Sequence, residues 1–182
     1  MKSSACIEAA ARGAALRLLV VVLLSLVAAA AISLARAREA RADHAASCLV
    51  ERVIDGDTFV CTGGTRVRLL QINAPEMSDP GGPWAGAALR FLIDDRVARL
   101  EFDEVVLDRY GRHLAAPHVT GTDGVEYNIS ILMVYAGLAR AAYYGDNARY
   151  LDWARAAETW ARAACWNMWA ARNPWAAESG CV

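Results

Sequence analysis

From Ser47 to its end the chain contains no lysine, and in that stretch 13 Arg stand against 17 Asp plus Glu, a net charge of −4. A domain with that balance does not attract nucleic acid or anionic lipid over its whole surface. Any polyanion it binds must meet a local arginine cluster, helped by a cation. A Cys-x-x-Cys pair and a neighbouring histidine pair are also missing, which excludes the usual spacing of a zinc site. His113 and His118 lie five apart with no third ligand in view and read as structural or surface residues. No internal repeat is present, so a solenoid is excluded.

What the sequence has in excess is one hydrophobic run. Residues 18–35 carry no charge and follow Lys2, Arg12 and Arg17. The run is longer than a signal-peptide core of about 7–15 residues and sits at the short limit of a spanning helix, about 17–25. It has no polar face, as a buried core helix of a soluble domain would need. Residues 1–35 therefore read as a signal peptide, cleaved near Ala40-Arg41-Ala42, or as an uncleaved anchor inserted in the membrane through residues 18–35. Either way the chain beyond residue 43 is exported: secreted, periplasmic, or held on the outer side of the cytoplasmic membrane. Residues 36–47, "RAREARADHAAS", form a charged, alanine-rich linker.

The cysteines agree with export. Cys6 lies in the leader; Cys48, Cys61, Cys165 and Cys181 remain, and an even number in an exported domain implies two disulfides. Cys48 and Cys61 flank one hairpin and are expected to pair, their offset from the turn requiring a β-bulge. Cys165 with Cys181 would tie the tail, residues 172–182, to the last helix.

The turn of that hairpin, "IDGDT" at 54–58, holds one carboxylate too many. Asp-Gly is a strong hairpin signal, because Gly accepts positive φ and Asp bonds the local backbone. That accounts for Asp55 and Gly56 but leaves Asp57 at the start of a strand, where Asp is disfavoured. Strands are expected over 49–54, 58–62 and 66–72, then a loop over 73–83. A helix follows over 84–96, with Ala88, Phe91, Leu92 and Val97 as its apolar positions. Further strands are expected over 98–102 and 114–119, a short helix over 128–136, and a long helix over 150–171. The long helix carries Tyr150, Trp153, Ala157, Trp160 and Ala164 on one face, read as docking on the core rather than stacking on bases. The fold class expected is α+β, mainly β: a five-stranded OB-type Greek-key barrel with about three helices over residues 48–171, behind the hydrophobic leader. A flat sheet packed by helices is the competing architecture.

Four pieces, "IDGDT" (54–58), "RVRLLQINAPE" (66–76), "DRYGR" (108–112) and "GLARAAYY" (137–144), resemble the staphylococcal nuclease (thermonuclease) family in their order and intervals. The resemblance covers about residues 48–170 and implies the same OB barrel. It also implies calcium-dependent hydrolysis of phosphodiesters in DNA and/or RNA by a monomer with no protein partner. Carried over by position, Asp57 would bind Ca2+ directly, Asn73 would be a second ligand, and Ala74 would offer its backbone carbonyl. Glu76 would stand near the attacking water, Arg68 and Arg112 would bind phosphate, Tyr110 and Tyr143 would border the nucleotide, and Asp55 would support the metal site.

The chemistry explains those residue types. Negative charge grows on the phosphoryl oxygens in the transition state, and planar arginine donors stabilise it. A hard divalent cation needs oxygen ligands, and Glu76 would accept a proton from the water or position it. Two departures matter. The family usually has Asp where Asn73 stands, so one ligand charge is lost. The loop "MSDPGGPWAG" lacks the lysines of the staphylococcal enzyme's corresponding loop, which implies marked inhibition by salt. The rival function is a non-catalytic OB-fold module binding nucleic acid or protein in the cell envelope; a third is an anchored structural domain.

Overall fold

The computed structural model describes residues 45–171, together with Val27, Ala29 and Cys181. The 18–35 run as a whole, most of the 36–47 linker and most of the 172–182 tail lie outside the described residues. Among the described residues no helix is long and apolar enough to cross a membrane. The chain divides after Asp43, and the barrel unit belongs to residues 44–182.

The elements are β1 (Ala45–Val53), β2 (Thr58–Cys61), β3 (Arg66–Leu69), β4 (Ile72–Asn73), α1 (Gly82–Ile93), β5 (Val97–Leu107), β6 (His113–Thr120), β7 (Glu126–Asn128), α2 (Ile129–Tyr135), β8 (Arg140–Ala141) and α3 (Leu151–Ala163). A short 3-10 turn, Asn167–Trp169, follows. Antiparallel pairs join β1 to β2, β2 to β3, β1 to β5 and β5 to β6. A parallel pair, Val67 opposite His113 through Leu69 opposite Ala115, joins β3 to β6 and closes the ring. The order around it, β1-β2-β3-β6-β5, is the expected five-stranded barrel. A flat sheet is ruled out by that closure. Phe59, Val67, Leu69, Ile72, Leu89, Ile93, Ala98, Ala115 and Met133 fill one continuous core.

β1 begins at Ala45, inside the stretch read as linker, because residues 45–49 pair with 97–101 of β5. Its register with β2 shifts between Val50 and Arg52, the bulge that the Cys48–Cys61 pairing required. Both disulfides are formed, Cys48–Cys61 with Cα atoms 5.6 Å apart and Cys165–Cys181 with Cα atoms 5.8 Å apart. Replacing Cys48 and Cys61 by serine is expected to lower stability by ~3 kcal/mol, the loop-closure entropy of a short loop. Urea unfolding of the double variant, read against wild type with and without reductant, checks this. An unchanged midpoint would show that the hairpin needs no cross-link.

Two helix faces differ from the sequence reading. α1 starts at Gly82 and buries Gly82, Ala85, Gly86, Leu89 and Ile93, while Phe91 is 81% exposed. Val97 is not helical and opens β5. The reason is close approach: a Cβ added at Gly56 would lie 2.6 Å from the Cβ atoms of both Ala74 and Ala85, and one at Gly82 would overlap the Glu76 carbonyl. The small-residue stripe seats the helix directly on the 55–57 turn, where a bulkier stripe would not fit. α3 behaves alike. It buries Leu151, Ala154, Ala157 and Ala161, and Trp153 and Trp160 stay exposed. The expected face therefore docks only in part: the Tyr150 hydroxyl donates to Glu101 Oε2 of β5 at 2.7 Å, its ring lies 5.9 Å from that of His118 on β6, and Ala157 is in the core, while the two tryptophans stay out. Trp160 instead stacks on Tyr135 at 4.7 Å and meets Trp166 edge-on at 4.9 Å. α3 also ends earlier than expected, because Cys165 takes positive φ and the chain turns back to bury Trp169.

Candidate active site

The 55–57 turn separates its two carboxylates by task. Asp55 Oδ1 accepts the backbone N–H of Asp57 at 3.0 Å, the local bond that shapes an Asx turn. Asp57 points inward and is nearly buried. Its Oδ2 accepts the Ala74 N–H at 2.8 Å and faces Arg68 Nη2 at 3.0 Å, and its Oδ1 accepts the Thr58 hydroxyl at 3.1 Å. Burial pushes the Asp57 carboxyl up to about 6, and Arg68 and the Ala74 N–H only partly counter it.

Arg68 comes from β3, and alternation along the strand turns it to the same rim. Its guanidinium is buried and committed to protein acceptors. Nη1 donates to the carbonyls of Leu69 and Ile72, at 3.2 and 3.1 Å. Nη2 donates to Asn73 Oδ1 at 2.9 Å and to the Tyr144 hydroxyl at 2.7 Å. The Tyr144 hydroxyl donates onward to the Ile72 carbonyl at 3.2 Å. The Tyr144 ring lies 5.3 Å from the guanidinium carbon, within reach of a cation–π contact.

Arg112 stands across the cavity, after the tight turn 108–111. Asp108 organises that turn, its Oδ1 accepting the N–H groups of Tyr110 at 2.8 Å and Arg112 at 3.0 Å. Its Oδ2 accepts Arg112 Nε at 2.7 Å. Burial alone would raise the Asp108 carboxyl, but the bonds from Arg112 and Tyr110 hold it below the usual carboxylate range. The two terminal nitrogens of Arg112 carry no hydrogen bond among the described residues. Glu76 is exposed on the loop after β4, its carboxylate likewise without a hydrogen bond there.

Asp55, Asp57, Arg68, Asn73, Glu76, Tyr110, Arg112 and Tyr144 line one open cavity of about 600 Å³. Seven of these eight are positions singled out in the sequence. Tyr143 is exposed and does not line the cavity; Tyr144 does. Side chains of adjacent residues in an extended segment point to opposite sides, so of the Tyr143–Tyr144 pair one had to face the site, and the neighbour of the expected residue does. Ala74 contributes its N–H to Asp57, a role the sequence reading did not include.

The donor set consists of oxygens only, the type a hard divalent cation takes, and Asp57 Oδ1 accepts a single hydrogen bond among the described residues, from the Thr58 hydroxyl. Among the described residues no three His, Cys, Asp or Glu side chains gather at one point. A cation here would therefore rest on Asp57, the Asn73 amide oxygen and water, sharing Asp57 Oδ2 and Asn73 Oδ1 with Arg68 Nη2, while Ala74 does not line the cavity.

The closed five-strand ring places the chain among OB-type barrels, with Arg68, Arg112 and the buried Asp57 lining one cavity. The sequence profile described as Staphylococcal nuclease homologue matches residues 66–171, more than half of the chain, and the chain belongs to that family. It is 39% identical over 114 residues to a thermonuclease of Staphylococcus intermedius, covering 57% of this chain and 64% of that protein. It is 34% identical over 93 residues to an uncharacterized endonuclease of Escherichia coli O157:H7, covering 50% and 57%. To a thermonuclease of Staphylococcus hyicus it is 32% identical over 123 residues, covering 62% and 69%. The matches thus span between 57% and 69% of these relatives' lengths.

Proposed function

We propose that the protein is an exported, calcium-dependent nuclease that hydrolyses phosphodiester bonds of DNA and/or RNA. The observation that carries this reading is the convergence of Arg68, Arg112, Asp57 and Glu76 on one open cavity in a chain of this family. Arg112, tethered through Nε alone, offers its two terminal nitrogens as a planar donor pair to a phosphate. Arg68 supplies fixed charge from below and is held in place by Asp57, Asn73 and Tyr144. Glu76, in solvent at the rim, accepts or orients the proton of the attacking water. The leaving oxygen takes its proton from water, since a guanidinium with pKa above about 12 is a poor acid. Calcium held by Asp57 and Asn73 would neutralise phosphate charge as a Lewis acid. The uncharged run at 18–35 and the two disulfides support export.

The second reading, a non-catalytic binding module, draws on Asn73 and on the full engagement of Arg68 by protein acceptors. Plasmid digestion with calcium and with a chelator separates the two. Calcium-dependent cleavage is expected, and Arg112→Ala and Glu76→Gln should each lower turnover by at least ~10²-fold, since each removes a group aimed at the reacting phosphate. An unfolding midpoint near wild type is expected for Glu76→Gln, since Glu76 is exposed, and a somewhat lower one with the fold retained for Arg112→Ala, since Asp108 loses its Nε partner. Chelator-insensitive binding without cleavage would favour the module, and near-wild-type digestion by either variant would remove that residue from its role.

A further inference from the structure

Asn147 is fully buried in the loop between β8 and α3, and its side-chain amide is directed at one residue of β5. Its Oδ1 accepts the Val105 N–H at 2.8 Å, and its Nδ2 donates to the Val105 carbonyl at 2.9 Å. We propose that Asn147 is a positioning residue of the active site: through Val105 it holds Asp108, and through Asp108 it aims the Arg112 guanidinium at the phosphate. The inference rests on the reading of the chain as a nuclease and deepens it.

The need for such a residue comes from β5. Phe102 pairs with Ala115 and the next pair is Leu107 with His113, so residues 103–106 stand against Leu114 alone. The ladder with β6 therefore cannot hold that stretch in register, immediately before the 108–112 turn. The Asn147 amide takes the place of a strand partner. An asparagine side chain carries both an acceptor and a donor, and exchanging two bonds with one residue reproduces the hydrogen-bonded pair of an antiparallel ladder. Burial of an amide is unfavourable unless its polar atoms are bonded, and here both bonds go to the backbone of an arm that walls the cavity. Arg149 ties the same loop to β5 further from the turn. Its N–H donates to Asp103 Oδ2 at 2.9 Å and its Nη1 to Glu101 Oε1 at 2.7 Å.

Of the two arginines, Arg112 is the one that depends on this arm. Arg68 is anchored independently by Asp57 at 3.0 Å and by the Leu69 and Ile72 carbonyls. The Arg112 backbone is fixed by its neighbour His113, opposite Val67. Its side chain, among the described residues, is hydrogen-bonded through Nε alone, to Asp108 Oδ2 at 2.7 Å. Asp108 follows Val105 closely in the chain, so a shift of the arm moves the carboxylate that aims the guanidinium. The other end of the link is steady. The Asn147 N–H donates to the Tyr144 carbonyl at 3.2 Å, and the Tyr144 hydroxyl accepts Arg68 Nη2 at 2.7 Å. Asn147 thus joins the Arg68 wall of the cavity to the Arg112 wall, and their separation decides whether two guanidinium groups meet one phosphate.

The test is a double-mutant cycle of wild type, Asn147→Ala, Arg112→Ala and the double variant. It is read as calcium-dependent cleavage of a single-stranded DNA oligonucleotide, with binding followed by fluorescence anisotropy in chelator. Asn147→Ala is expected to lower kcat/KM about tenfold when Arg112 is present, since a small misplacement of a group at the reacting phosphate slows the step sharply. In the Arg112→Ala background the same change should cost less than about twofold, because no guanidinium is left to misplace. Equal losses in both backgrounds would mean that Asn147 serves the fold alone, and no loss in either would mean that it aims nothing; both outcomes overturn the proposal. Asn147→Asp keeps the side-chain volume and the acceptor for the Val105 N–H but loses the donor to its carbonyl. It should show the same dependence on Arg112, and it carries the cycle if Asn147→Ala does not fold by near-ultraviolet circular dichroism. Failure of both variants to fold would make Asn147 a structural residue and overturn the proposal as well. A wild-type protein that binds the oligonucleotide without cleaving it would refute the nuclease reading. The cycle is then read on binding, where a loss confined to the Arg112 background leaves the positioning role standing. A wild-type protein that neither cleaves nor binds would overturn both.

Discussion

Replacing Arg68 with alanine is expected to damage the fold and the chemistry together. Stability should fall by about 3–5 kcal/mol, because removing one partner of a buried pair leaves the other charge uncompensated. The partner is Asp57, and with Arg68 gone its Oδ2 keeps only the Ala74 N–H. Asn73 Oδ1 and the Leu69 and Ile72 carbonyls lose their guanidinium donors in the same step. Turnover should fall by at least ~10²-fold, from lost charge at the reacting phosphate. Arg68→Lys keeps the charge but lacks a planar fork able to serve both strand carbonyls and both side-chain oxygens. It should recover part of the stability and little of the activity. The pair can be isolated by a double-mutant cycle. Adding Asp57→Asn to Arg68→Ala should restore a substantial part of the lost stability by removing the stranded charge. Urea unfolding of the four proteins, with single-turnover cleavage, provides the measurement. Additive losses would show that Asp57 and Arg68 do not interact in the folded protein.

The second large effect concerns the cation. Asp57→Asn is expected nearly to abolish calcium-dependent cleavage, and Asn73→Asp to tighten calcium binding, since ligand charge count tunes affinity at oxygen sites. One added charge, partly screened and shared with Arg68 at 2.9 Å, should shift the calcium midpoint by roughly 5- to 150-fold, or on the order of 1–3 kcal/mol at an effective ε near 20. Calorimetric titration and the calcium dependence of digestion read this directly. An unchanged midpoint in Asn73→Asp would mean that position 73 does not serve the metal.

The same carboxylate has a pH signature in the chelated protein. Its folded pKa, about 6, lies above the ordinary value of 3.8, so the fold favours the protonated form. The stabilisation this gives is fully present below pH ~4 and is lost as pH rises through about 6, an effect on the order of 2 kcal/mol. Asp108 and Glu126 act in the opposite sense. Both are held low, Glu126 first of all by Arg99, and their contribution disappears as pH falls through their lowered pKa values. His118, which burial holds below its ordinary value, makes stability rise with pH over the same range in both proteins, so the readout is their difference: denaturant midpoints measured with chelator from pH 4 to 7 should fall in wild type relative to Asp57→Asn. Parallel profiles would show that Arg68 offsets burial at Asp57.

The strands were legible because their signals are local, whereas closure into a ring, which separates barrel from flat sheet, rests on the distant parallel pair of β3 with β6. Alternation at 49–54, 58–62 and 66–72, with Asp-Gly and Gly-Gly turns between, needs only neighbouring residues to be recognised. The cysteine pairing was legible for the same reason: two half-cystines around one hairpin can close only if a strand bulges, and β1 does so between Val50 and Arg52. Arg68, Glu76 and Arg112 were legible from the order of four short motifs, and they line one cavity. The helix faces were not. Hydrophobicity favoured Phe91, Trp153 and Trp160 as buried, and all three are exposed.

The sequence by itself determined the first three hairpin-linked strands, the turn that carries Asp55 and Asp57, the partners of four cysteines and the residue types around the cavity. These depend on backbone propensity, charge and reach within a few residues. Only the tertiary structure decided how closely the helices approach and what the polar side chains touch. Glycine and alanine at 56, 74, 82, 85 and 86 bring α1 onto the 55–57 turn, so small residues are buried where larger ones would clash. Asp57 and Arg68 become a buried pair only when β2, β3 and the segment to Ala74 are brought together. Tyr144 enters the site in place of Tyr143 because β8 pairs with β4, setting Arg140 opposite Asn73 and fixing which side of the segment beyond it faces the arginine. Side-chain distance across strands is a property of packing, and no local pattern in the chain encodes it.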